Sequence, residues 1–297
     1  MKVVLFCGGL GTRLRDYSES IPKPMVPIGR RPILWHLMKY YAHFGHREFI
    51  LCLGYMGDAI KHYFLTDDAR RSYDGVLSSG DRALRPDRQD LEDWKITFVD
   101  TGLHTTVGQR LKAVQRYLGD DEIFLANYAD GLSDLCLPDY LDHFRQHGRI
   151  ASFLCVRPSH SFHVVSANEA GLVHNIQHVG QAGLWISGGF FVFKREIFEY
   201  LGEGEELVEQ PFQRLIAGGQ LIAYRYQGFW QCMDTFKDRQ LLEDMQARGR
   251  PPWEVWTRRV DSPRAASGTP DERSGLTPDG AGEPSPPAGP DPRVIGQ

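Results

Sequence analysis

The sequence predicts an α/β fold with a mainly parallel sheet flanked by helices and a partly antiparallel C-terminal section. Three observations predict it. Through the first half, short apolar runs alternate with segments of helical spacing, the pattern that builds a parallel sheet with helices on both faces. The apolar runs are nearly unbroken, as strands buried on both faces should be. After residue 160 runs of strand character follow one another closely. Together these describe a Rossmann-like sheet with an appended antiparallel part.

The elements follow in order. KVVLFC (2–7) is an apolar run ending at glycines and reads as the first strand. Residues 31–45 place Ile33, Leu37, Tyr40, Tyr41 and Phe44 at helical spacing. EFILCL (48–53) is a strand and GDAIKHYF (57–64) a helix, followed by a long polar excursion over 66–93. KITFVD (95–100) and EIFLAN (122–127) are strands separated by a helix at 110–118. A helix at 138–148 leads into the strand IASFLCV (150–156). FHVVSA (162–167), LVHNIQ (172–177) and WISGGFFVF (185–193) read as strands. A helix at 208–219, the strand LIAYRY (221–226) and a helix at 236–249 close the body.

Composition bounds the function. The 297 residues are 41% hydrophobic and 24% charged, ordinary for a globular protein with a sizeable core. A net charge of −4 argues against a general nucleic-acid binder. No window holds eighteen consecutive apolar residues, so no membrane helix is expected. The N-terminus lacks the apolar length and cleavage site of a signal peptide, so a cytoplasmic protein is expected. The five cysteines form no C-x-x-C pair. Four lie in apolar runs, which predicts buried free thiols. Composition shifts near residue 261: residues 261–297 hold eight of the eighteen prolines and no aromatic residue. They read as a disordered Pro/Gly-rich tail beyond a body of residues 1–260. Trp253 and Trp256 read as exposed aromatics and, with the 66–93 excursion, suggest a homo-oligomer.

Several loops could carry chemistry. Gly8, Gly9 and Gly11 follow the first strand, where glycines admit a ligand close to the backbone and successive amides can cradle phosphate. No Gly-Lys-Ser/Thr follows, which excludes a P-loop, and Leu14 breaks the dinucleotide fingerprint. Arg13 adds a charged donor just past the glycines. Pro22 and Pro24 stiffen the backbone around Lys23. Asp130 follows a buried strand, and the default for such a loop aspartate is a turn or cap. Asp234 precedes the last helix, where the default is an N-cap. Two carboxylates this far apart in sequence could nevertheless converge on one Mg²⁺, a hard ion that binds oxygen and substrate phosphates.

The string GGLGTRL, seven residues, then PKPM resembles the signature of sugar-1-phosphate nucleotidyltransferases, most of all the glucose-1-phosphate cytidylyltransferases. The resemblance extends through PILWHLMKYY (32–41), VDTG (99–102), GQRLKAV (108–114), YADG (128–131), GGFFVF (188–193) and GFWQCMDT (228–235), covering about residues 1–256. It implies transfer of a nucleotidyl group, CMP from CTP, to a sugar 1-phosphate such as glucose 1-phosphate. It implies nucleotide contacts from Phe6, Cys7, Gly8, Gly9, Leu10, Gly11, Thr12, Arg13, Lys23, Thr105, Arg110 and Ala129. Asp130 and Asp234 are the implied Mg²⁺ ligands, and Arg13, Lys23 and Asp130 the catalytic groups.

The sequence also departs from the family. Val179 stands where the family carries a phosphate-binding lysine, Ala129 replaces the first glycine of Gly-Asp-Gly, and Ser187 replaces an asparagine before Gly188. His163 replaces a glycine, and His178 lies nearby. These positions fall on the implied sugar-phosphate side, so they bear on the choice of sugar more than on nucleotide binding. Two rival readings follow: a nucleotidyltransferase using another sugar or pseudo-sugar phosphate or another triphosphate, and a binding homologue that has lost catalysis.

Overall fold

A computed structural model describes residues 1–9, 21–69, 93–159 and 162–258. Leu10, Gly11, Thr12 and Arg13, most of the 66–93 excursion and the 261–297 tail lie outside the described residues. The N-terminal elements are β1 (Val3–Phe6), the short β2 (Pro27–Ile28) and β3 (Arg31–Pro32), α1 (Ile33–His43), β4 (Glu48–Leu53), α2 (Gly57–Ala69) and β5 (Lys95–Asp100). There follow α3 (Val107–Val114), β6 (Ile123–Tyr128), β7 (Gly131–Ser133), α4 (Leu137–His147) and β8 (Ala151–Val156). The remainder holds β9 (His163–Ala167), β10 (Val173–His178), β11 (Ile186–Ser187), β12 (Phe191–Lys194), α5 (Gln210–Ala217), β13 (Leu221–Tyr226), β14 (Trp230–Cys232) and α6 (Phe236–Ala247).

The apolar runs form one eight-stranded sheet. β5, β4, β1 and β6 lie side by side and parallel. β12 is antiparallel to both β6 and β8, and β13 pairs in parallel with β8. Each buried strand feeds two cores, because successive side chains point to opposite faces. Val3, Leu5 and Cys7 pack with α1 and α4, whereas Val4 and Phe6 pack with α3 and α5. This two-sided burial is why the strands read as continuous apolar text.

Several sequence readings need correction. The run 185–193 is two strands, β11 and β12, because the backbone turns left-handed at Gly189 (φ 73°) and Phe190 (φ 48°). Asn127 holds that break: its Oδ1 accepts from Phe190 N at 3.0 Å and would lie 2.6 Å from a Cβ at position 189. Trp253 is not exposed. It is 1% accessible, and its indole N–H donates to Nδ1 of the buried His36. Of the cysteines, Cys7, Cys52 and Cys232 are buried, Cys155 is partly so and Cys136 is exposed. β9 and β10 form a separate antiparallel hairpin rather than joining the main sheet. Among the described residues no helix is long and apolar enough to cross a membrane.

Candidate active site

Strand order places the site. From β1 the chain proceeds to β4 and β5 on one side, while β6 pairs with β1 on the other. The carboxyl ends of β1 and β6 therefore flank a topological switch point, where open α/β sheets bind ligands. Cys7, Gly8 and Gly9 leave β1 there, and Ala129 and Asp130 leave β6. All five line a cavity of about 480 Å³, together with Phe6, Lys23, Thr105, Arg110 and Asp234.

Lys23 is presented by a short helical turn. Pro22 is extended (φ −69°, ψ 147°), and the amides of Met25 and Val26 close back onto the carbonyls of Pro22 and Lys23. Pro24 and Met25 are buried, so the turn is anchored and the lysine side chain is aimed at the cavity. Its Nζ donates to Asp130 Oδ2 at 2.5 Å and to Asp234 Oδ1 at 2.6 Å. Burial alone would lower the lysine pKa, but the two carboxylates outweigh it and hold the pKa above its ordinary value.

The two aspartates meet because β7 and β14 form a small antiparallel ladder. Gly131 pairs with Cys232, and Met233 N donates to Asp130 O at 2.9 Å. Asp234 does not cap the last helix. Thr235 does, in a reciprocal capping box with Asp238, and Asp238 also accepts from the Asp234 amide at 3.1 Å. The Asp234 carboxylate is thereby turned toward Lys23. With one positive and two negative charges, the triad carries a net charge of −1.

The pair suits a hard divalent cation, since two carboxylate oxygens already converge on a single cationic atom. Among the described residues no group of three or more His, Cys, Asp or Glu could hold a metal. Further ligand positions would fall to water or substrate phosphate, the usual arrangement for Mg²⁺.

Arg110, an exposed helix-start residue by default, is 4% accessible. Its guanidinium donates to Leu53 O (3.2 Å), Thr101 Oγ1 (2.7 Å), Gly8 O (3.1 Å) and Leu103 O (3.2 Å). One side chain thus ties the loop after β1, the end of β4 and the loop after β5. A Cβ at position 8 would sit 2.1 Å from Arg110 Nη1, so glycine is required there. Thr105 Oγ1 donates to Thr101 O at 2.6 Å, fixing the same turn, and Thr106 caps α3.

The residues expected on the sugar-phosphate side do not line this cavity. His163 and His178 face each other across the β9–β10 hairpin with ring centroids 5.7 Å apart, and Val179 N donates to Phe162 O at the hairpin end. Ser187 is exposed in β11. Gly188 is tied to the β7–β14 ladder, since its carbonyl accepts from Trp230 Nε1 at 2.9 Å. Tyr128 and Glu206 line the cavity without being singled out as site residues from the sequence. Tyr128 directly precedes Ala129 and Asp130 and could have been included with them, but nothing local marks Glu206.

The chain matches the nucleotidyl transferase family over residues 2–238. It is 38% identical over 258 residues to the glucose-1-phosphate cytidylyltransferases of Salmonella typhi and Salmonella typhimurium, covering 86% of this chain and all of each relative. The UTP-bound UGPase of Acinetobacter baumannii shares the fold at a TM-score of 0.61 and 20% identity, over 85% of this chain and 95% of that one. Sequence signature, switch-point cavity and relatives agree, and the chain belongs to the nucleotidyl transferase family.

Proposed function

We propose that this protein transfers the cytidylyl group of CTP to glucose 1-phosphate, releasing pyrophosphate. The observation that carries the reading is the Lys23 ammonium held between Asp130 and Asp234 in the switch-point cavity. The names of the relatives supply the substrate pair.

A phosphate oxygen of the sugar phosphate attacks the α-phosphorus of CTP. The new P–O bond forms as the bond to the bridging oxygen breaks, and that electron pair leaves on pyrophosphate. The attacking oxygen is already anionic, so no proton needs to be removed. The protein's task is alignment and charge stabilisation. Lys23, held as an ammonium by its two partners, directs a full positive charge at the phosphates. Gly8 and Gly9 let the backbone approach the nucleotide, and Arg110 holds that loop in place. Asp130 and Asp234 would hold Mg²⁺, which when bound supplies positive charge to the phosphate oxygens.

The test is a panel of CTP, UTP and dTTP against glucose 1-phosphate and mannose 1-phosphate, followed by pyrophosphate release with Mg²⁺ present. CTP with glucose 1-phosphate is expected to give the highest kcat/KM. A higher value for any other pair would overturn the assignment.

A further inference from the structure

Glu206 poses an electrostatic question. Its carboxylate lines the same cavity as Arg110, Thr105 and Tyr128, although a triphosphate is a polyanion. Among the described residues its hydrogen-bond partners are two backbone amides, Val107 N on Oε2 at 3.3 Å and Leu207 N on Oε1 at 3.2 Å, and no cation. A carboxylate has about four lone-pair sites, so each oxygen keeps room for a second donor. Val107 is the first residue of α3, but Thr106 already caps that helix through Gln109 N. Glu206 thus satisfies a second orphan amide of that helix, Val107 N, which uses one of its lone-pair sites and leaves others open.

An acceptor with a net negative charge suits a neutral donor on the ligand. Arg110, on the same cavity, likewise has carbonyls and a hydroxyl as hydrogen-bond partners and no carboxylate among the described residues. Those four bonds use every Nη hydrogen of Arg110, so what the cavity offers beside the triad is Glu206 as an acceptor-only anion. The phosphate-binding triad of Lys23, Asp130 and Asp234 accounts for the rest of its charge. Cytosine offers such an acceptor a donor at its 4-amino group, beside its own acceptors N3 and O2. Uracil reverses the pattern at two of these places, presenting N3–H and the acceptor O4. A carboxylate facing O4 would be repelled, whereas one facing the 4-amino group gains a charge-assisted hydrogen bond.

We infer that Glu206 is the residue that selects cytosine over uracil, by accepting a hydrogen bond from the exocyclic amino group of the base. The inference rests on the reading that this cavity binds CTP. Two physical consequences follow. Glutamine at position 206 keeps a carbonyl oxygen for one of the backbone amides and adds an NH₂ that can donate to O4. Alanine removes the acceptor without adding a donor.

The experiment uses the full chain with Glu206→Gln and Glu206→Ala, measuring kcat/KM for CTP, UTP and dCTP with glucose 1-phosphate. Nucleotide binding is measured alongside by calorimetry and folding by thermal melting. Wild type is expected to prefer CTP. In Glu206→Gln the CTP-to-UTP ratio should fall roughly ten- to hundredfold, partly through a gain with UTP. In Glu206→Ala CTP should lose affinity, and UTP should gain less than in Glu206→Gln, since the repulsion of O4 is removed without a donor being added. A wild type without preference for CTP overturns both this inference and the proposed function. A wild type that prefers CTP, with an unchanged ratio in Glu206→Gln, overturns this inference alone. So does a variant that instead alters the CTP-to-dCTP ratio, since Glu206 would then contact the ribose.

Discussion

At the scale of single residues, the Lys23–Asp130–Asp234 cluster is the proposed site of metal and phosphate binding. Asp130→Asn and Asp234→Asn are each expected to lower turnover by about 100-fold or more, because each removes a carboxylate that would hold Mg²⁺ and that positions Lys23. Both side chains are partly accessible, at 27% and 18%, so circular dichroism should show an intact fold. Near-normal turnover in either variant would remove that residue from the cluster. Lys23→Met should behave differently. Two carboxylates would converge with no ammonium between them, and like charges at close range oppose ionisation of both. The variant should be inactive, and added Mg²⁺ should raise its Tm more than it raises that of wild type. Equal Mg²⁺ shifts in the two proteins would show that Lys23 does not compete with the metal.

At the scale of elements, the site depends on two local devices. The β7–β14 ladder brings Asp130 and Asp234 together, and the capping box of α6 leaves Asp234 turned inward. Thr235→Ala should cost about 1 kcal/mol in urea unfolding, the usual loss for an N-cap. Its Mg²⁺-dependent turnover should fall further than this modest destabilisation explains, because Asp238 would lose the hydroxyl that orients it beside the Asp234 amide. Full turnover with reduced stability would mean that the ladder alone fixes Asp234. Arg110 works at the same scale, joining the loops after β1 and β5 to the end of β4.

At the scale of the whole molecule, burial couples stability to pH. His36, on α1, faces the buried Trp253, with Nε2 bonded to Ile28 O at 3.1 Å and Nδ1 accepting the Trp253 indole N–H at 3.3 Å. A proton on Nδ1 would displace that donor, and burial pulls the His36 pKa down to about 4. The unfolded chain takes up a proton below about pH 6.5. Between pH 6.5 and 4 the unfolded state therefore binds more protons, and stability falls as pH falls. Urea unfolding at pH 5 against pH 7 should show a loss of about 2 kcal/mol from this residue. His46, also pulled down to about 4 by burial, acts in the same direction. In His36→Phe the pH dependence should shrink although stability at pH 7 drops. An unchanged slope would assign the effect to other groups. Ending the chain after Val260 is expected to leave Tm and turnover nearly unaltered, since residues 261–297 carry no periodic apolar pattern and the relatives align over 258 residues. A large fall in Tm would show that the tail packs on the body.

Local text was sufficient for much of this protein. Strands buried on both faces wrote themselves as apolar runs, and helices as a periodic stripe, because both patterns are set by residues a few positions apart. The glycines after β1, the Pro22-Lys23-Pro24 turn and the aspartate after β6 were legible for the same reason. Gly8 was marked by its composition, but the side chain that makes it obligatory, Arg110, arrives from 102 residues away. The local pattern gives Asp234 a cap as its default although the family resemblance implies a metal ligand, and only the folded arrangement assigns the cap to Thr235. Trp253 read as surface because a single tryptophan after a helix has no period to reveal what covers it. What the sequence by itself determined was the succession of the main strands and helices and the loops that reach the switch-point cavity. What the tertiary structure decided was that Lys23, Asp130 and Asp234 meet across separations of 107 and 211 residues, and that Glu206 joins their cavity. Such meetings depend on strand order and on the β7–β14 pairing, which are properties of the packed sheet and leave no signature in any short stretch of chain.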